Sequence, residues 1–169
     1  VLLRRQRFHK AHARAKSLYQ RFDQPPQQVQ ALYASVCFGV GENDEAIRVY
    51  QNMIRGMPND PALRVSLAHI YNATGESHLA IDLFKQAYEL NPSFGDAFWS
   101  LANTKSYRFT DDEVTAMTER LSLDATPELD RIQMHFALGK AHEDSHNFAA
   151  AFDNYQQGNA LKLATSNHS

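Results

Sequence analysis

The sequence predicts an all-α protein, a solenoid of about nine helices paired into hairpins. Two observations carry this. Residues of one class recur at a spacing of 34: Ala34 with Ala68, Gly41 with Gly75, Ala46 with Ala80, Ile47 with Ile81, Tyr50 with Phe84, and Pro58 with Pro92. A period of that length marks a repeat of one supersecondary unit. The small residues at two of the repeated positions also let antiparallel helices approach closely. Because each unit covers its apolar face only against its neighbours, the units are expected to form one array over residues 1–165.

Composition sets the outer limits. The 169 residues carry a formal charge of −2, which gives no general reason to expect nucleic acid as partner. Hydrophobic residues make up 43%, with no apolar run near the roughly 20 residues that span a bilayer. The single cysteine, Cys37, rules out a disulfide within the chain and favours a reducing, cytoplasmic setting. With one cysteine and scattered histidines there is no Cys-rich zinc module, and neither a cofactor nor a metal is expected.

The chain opens on Val1 rather than Met, as a processed form or a fragment does. Residues 1–26 read as a basic lead helix, with seven Lys/Arg before the first acid, Asp23. Leu3, Phe8, Ala11, Ala15, Leu18 and Phe22 fall on one face, so packing is expected on that side. A transit peptide would be richer in serine.

Residues 27–60 and 61–94 are the two regular units. In the second, Leu67, Ala68, Tyr71, Phe84 and Leu90 are expected to fill the space between its helices, with Gly75 turning the chain at positive φ. Pro58 and Pro92 each follow a helix they cannot continue. Cys37 stands at a packing position and reads as a small hydrophobe.

Residues 95–131 form a degenerate unit. Phe98, Leu101 and Ala102 open its first helix, but Phe109 replaces the turn glycine. Thr110 and Glu113 in TDDE form a capping box that starts another helix, with Val114, Met117 and Leu121 facing inward. Residues 132–165 are displaced by 37 rather than 34, with the extra residues expected in the loop 124–130; Leu138, Gly139, Ala151 and Tyr155 take the repeat positions. The polar tail 166–169 closes the chain.

These units resemble the tetratricopeptide repeat (TPR), most closely at Leu67, Ala68, Tyr71, Gly75, Ala80, Phe84, Ala87 and Pro92, with Arg64 in place of the usual early hydrophobe. The resemblance implies a TPR-type right-handed superhelix, a non-catalytic scaffold that holds a protein or peptide along a concave groove lined by the first helix of each unit. Its groove positions fall on Ala31, Ser35 and Phe38; Val65, His69 and Asn72; Trp99, Asn103 and Tyr107; and Phe136, Lys140 and Glu143. Asparagine can pair with a partner's backbone through both halves of its amide, and Trp99 and Tyr107 could anchor side chains. The lysine with which one subfamily grips a C-terminal carboxylate is absent: Ala31, Val65, Trp99 and Phe136 stand there.

A narrower resemblance covers the last units. W-S-L-A-N-x-K (99–105), Y-R-F (107–109), H-F-A-L-G-K-A-x-E-D (135–144) and F-x-x-Y-x-x-G-N-A-L (152–161) look like the repeat segment of TPR–sulfotransferase fusion proteins. It implies a sulfotransferase domain downstream in cis and an acceptor-positioning role for these repeats. The phosphate-cradling loop of such a domain has no counterpart in these residues.

One stretch points elsewhere. HEDSH (142–146) fits H-E-x-x-H, in which two histidines one turn apart bind zinc and the glutamate activates water. In the repeat alignment His142 takes the place of Tyr71 and His146 that of Gly75, so the stretch is expected to straddle a helix end, with no third ligand near it. No other arrangement of catalytic residues is recognisable, and an enzyme is not expected.

Overall fold

The computed structural model describes residues 2–123 and 125–166, with side chains from His9 onward. It contains nine helices and no strand among the described residues: α1 Leu2–Tyr19, α2 Gln27–Val40, α3 Asn43–Gly56, α4 Pro61–Ala73, α5 Ser77–Leu90, α6 Gly95–Ala102, α7 Asp111–Leu121, α8 Glu128–Asp144 and α9 Phe148–Ser166. The fold is the expected helical-hairpin solenoid. Its core is a chain of apolar clusters rather than one centre. Tyr33, Ala34, Cys37, Val49, Met53 and Ile70 fill the first. Val65, Ala68, Ala80, Phe84 and Leu101 fill the second, and Phe98, Met117, Met134 and Leu138 the third.

Three hairpins turn by the same device. Gly41, Gly75 and His146 sit at φ 89°, 90° and 61°. The next residue's N–H then reaches back five residues: Glu42 to Cys37 O, Glu76 to Tyr71 O, and Asn147 to His142 O, at 2.8–2.9 Å. This satisfies carbonyls that the helix end would leave unpaired. A Cβ at Gly41 or Gly75 would meet nothing within 4 Å, so glycine is there for its backbone angle and not for space.

The third unit departs from the pattern. After α6 the side chains of Asn103 and Thr104 bond the carbonyls of Trp99 (2.8 Å) and Ser100 (3.0 Å). Such local bonds compete with continuation of the helix. α6 therefore ends at Ala102, and the chain runs irregularly to Thr110, where the expected capping box is formed. The main partner of α6 is α8, not α7. At their crossing Gly95 lies against Asp130: a Cβ there would be 2.5 Å from the Asp130 carbonyl oxygen, and the Gly95 N–H donates to the Asp130 carboxylate at 2.8 Å.

Two packing expectations change. On α1 the buried side is carried by Ala15 with His12 and Tyr19, whose ring stacks on Tyr33 at 4.5 Å. Ala11 and Phe22 are exposed, and the side chains of Leu3 and Phe8 lie outside the described residues, as do tail residues 167–169. Leu90 is also exposed, because it ends α5 past the last buried residue, Ala87.

Candidate functional site

Six of the expected groove residues, Ser35, Phe38, His69, Trp99, Asn103 and Lys140, line two hollows. The first, of about 490 Å³, is lined by Ser35 and Phe38 of α2, Tyr50 of α3, and Ser66, His69 and Ile70 of α4. His69 meets the Phe84 ring edge-on at 5.4 Å, and its Nε2 lies 3.5 Å from Ser100 Oγ. Ser35 Oγ donates to Leu32 O. Asn72 is exposed one turn further along α4, where its Oδ1 accepts from Ser77 Oγ at 3.4 Å.

The second hollow, of about 320 Å³, lies where α6, the loop after it, α8 and α9 meet. It is lined by Trp99, Ala102, Asn103, Thr104, Lys105, Arg108, Lys140 and Tyr155. Trp99 is half-buried against Phe136, with ring centres 5.5 Å apart. Lys140 pairs with Asp144, which also faces Arg108 Nε at 3.6 Å. Among the described residues Asp144 pairs with Arg108 and Lys140, and with Lys105 the charged side chains that line the hollow are all basic. Tyr155 reaches it because α8 has no side chain beneath its ring: a Cβ at Gly139 would lie 2.5 Å from the ring. The Tyr155 hydroxyl donates to Glu143 at 3.0 Å, and burial together with that carboxylate pushes the phenol up to about 12.

Two residues leave the expected set. Val65 is 3% exposed and belongs with Ala80, Phe84 and Ala97 to the second core cluster, so it faces inward. Tyr107 is not on a helix, since α6 ends five residues before it. Its hydroxyl instead donates to Glu113, as does that of Tyr88 at 2.7 Å, and Lys85 Nζ sits 5.3 Å from its ring centre. Burial pushes the Glu113 carboxyl up, but the bonds from Tyr107, the Thr110 N–H and Tyr88, with the Lys85 charge, outweigh it and hold the group below its ordinary value. This network fixes the loop that carries Lys105 and Arg108.

Positional reasoning missed Lys105, Arg108 and Tyr155, and Tyr50 and Ser66 in the first hollow. Lys105, Arg108 and Tyr155 lie in the stretches 99–105, 107–109 and 152–161, which meet Lys140 of 135–144 at the second hollow. HEDSH divides as expected: His142 is in the last turn of α8, and His146 lies beyond its end in the left-handed region, with its ring 5.9 Å from Phe148. The two histidines do not share a continuous helical face.

Comparison with known proteins agrees with this architecture. Residues 62–94 match a family model described as a tetratricopeptide repeat. No curated protein matches the sequence. Among solved structures, MamA is similar with a TM-score of 0.63 at 16% identity, over 95% of this chain and 91% of that one. BtubC (BKLC) from P. vanneervenii is similar with a TM-score of 0.66 at 15% identity, over 94% and 74%. A MamA RS-1 double mutant gives 0.62 at 17%, over 96% and 89%. At such identities the likeness is one of fold. No helix among the described residues is long and apolar enough to cross a membrane.

Proposed function

We propose that the chain is a non-catalytic scaffold that holds an extended protein or peptide segment along the first helices of its hairpins, α2, α4, α6 and α8. The observation that carries this reading is the second hollow. There a half-buried tryptophan, an exposed asparagine and three cations surround one open space. An aromatic anchor beside fork-like and point charges suits a partner segment with an apolar side chain next to a carboxylate. The first hollow, with Phe38 and His69, would take a neighbouring apolar side chain.

The test is capture of partners from the source cells on immobilised wild-type chain and on Trp99→Ala or Asn103→Ala. Loss of the same partner from both variants, with unchanged helicity by circular dichroism, supports the reading; undiminished capture removes it.

A second reading rests on the convergence of the four resemblance segments on that hollow. In it the repeats position the acceptor of a sulfotransferase domain linked downstream. An immunoblot of the native polypeptide distinguishes the two, since a linked domain requires a band far above 19.2 kDa.

A further inference from the structure

Away from both hollows, three metal-ligand side chains from separate elements meet at one point. His12 projects from α1, Cys37 from α2, and Glu42 from the turn into α3. His12 Nε2 lies 3.6 Å from Cys37 Sγ and 3.1 Å from Glu42 Oε2, and all three donor atoms fall within 4.8 Å of one another. A tetrahedral zinc with bonds of about 2.0 Å to nitrogen and 2.3 Å to sulfur separates those two ligands by about 3.5 Å. The observed His–Cys spacing is therefore that of two corners of such a site.

Hydrogen bonding alone accounts poorly for the arrangement. Both partners approach the same nitrogen, and Nε2 carries at most one hydrogen, so it can donate to one of them. A nucleophile–base relay would use the two different ring nitrogens, which this geometry does not. Convergence on one nitrogen is instead what a shared ion produces.

The scaffold also holds the ligands in place. Gly41 at φ 89° and the Glu42 N–H to Cys37 O bond fix Glu42 directly over Cys37. The Tyr33 ring stacks at 6.1 Å on that of His12. Outer groups of this kind orient a ligand set. Cys37 is fully buried, whereas the Glu42 side chain is 47% exposed, which gives an ion a route in and leaves one coordination position facing solvent.

We infer that His12, Cys37 and Glu42 form a zinc site that clips the basic lead helix to the first hairpin. A thiolate, an imidazole and a carboxylate suit Zn²⁺ better than a hard cation, which takes oxygen ligands alone. Binding exchanges the Cys37 thiol proton for the ion, and the proton leaves to solvent. The two anionic ligands then neutralise the dication. The ion would add to the packing of Ala15 and Tyr19 in tying the array's first helix in place.

The test uses the full chain, reduced and stripped of metal, titrated with Zn²⁺ by calorimetry and with Co²⁺ by absorption. The expected result is one ion per chain and a sulfur-to-cobalt charge-transfer band. Glu42→Gln and His12→Gln should each weaken Zn²⁺ at least about tenfold, a loss that even outer-shell changes cause. Glu42 is exposed, so its variant keeps the fold, which circular dichroism verifies. His142→Ala should leave affinity unchanged. Failure of Zn²⁺ to saturate, a cobalt spectrum without the thiolate band, or affinity that survives both ligand variants would each overturn the inference. Partner capture does not depend on it, so this site and the groove fail or stand separately.

Discussion

Gly95→Ala tests the contact that builds the second hollow. The added Cβ would lie 2.5 Å from the Asp130 carbonyl oxygen, 2.7 Å from its Cα and 2.9 Å from its carbonyl carbon. A carbon normally stands about 3.3 Å from a carbonyl oxygen, so α6 and α8 must separate by about 0.8 Å. All three obstructing atoms are backbone, so no side chain can rotate away. Overpacking of this kind costs about 1–3 kcal/mol. Alanine returns at most about 1 kcal/mol of helix propensity, and less at the first residue of a helix. The expected net loss is about 2 kcal/mol, which for a chain of this size lowers the melting temperature by roughly 4–8 °C. The assay is thermal melting by circular dichroism, with the fluorescence of Trp99, the only tryptophan, as a local probe of the α6–α8 seam. Gly56→Ala is the control, since a Cβ there meets nothing within 4 Å. A Gly95→Ala protein that melts at or above wild type, with unchanged Trp99 emission, would refute the reasoning.

The turn device gives a reciprocal pair. Gly75→Ala should lose about 1–2 kcal/mol from its left-handed backbone alone, whereas His146→Gly should gain about 0.5–1 kcal/mol, both read from urea midpoints. Glu113→Gln should destabilise by about 1–2 kcal/mol at pH 7, because a buried carboxylate that accepts from Tyr88, Tyr107 and Thr110 loses acceptor capacity. The pH dependence follows from the same group. Its folded pKa is depressed, so its stabilisation is full above the unfolded value and is lost as pH falls below about 4.3 toward the folded one. Glu113→Gln should therefore flatten the acid limb of the stability–pH curve; an unchanged limb would remove Glu113 as its source. His135 acts in a higher window. Burial holds its pKa down, so stability should begin to fall below about pH 6.5 as the unfolded chain takes up the proton, and His135→Gln should remove that step.

The regular half of the fold was legible because its rules are local. Ala46, Ala80 and Phe84 recur at 34 and are fully buried, and the capping box at Thr110 needed only a four-residue pattern. The alignment also placed His146 at a turn, where it adopts the positive φ of the two glycines. Legibility ended where side chains compete with the backbone. Asn103 and Thr104 stop α6, which takes Tyr107 off the helix and brings Lys105 and Arg108 to the hollow. Val65 failed for another reason: a groove position and a core position differ by a small rotation of α4, which periodicity does not resolve. The His12–Cys37–Glu42 cluster was invisible because two of its ligands are 25 residues apart on different helices, and only the packing of α1 brings them together.

The most direct test of the scaffold reading is hydrogen exchange of the chain with a captured partner bound. The account predicts added protection along α6, α8 and the loop carrying Lys105 and Arg108, with binding weakened about thirtyfold or more by Trp99→Ala, as for an interface hot spot. Protection confined to the second helices α3, α5 and α9, with binding indifferent to Trp99→Ala, would contradict it.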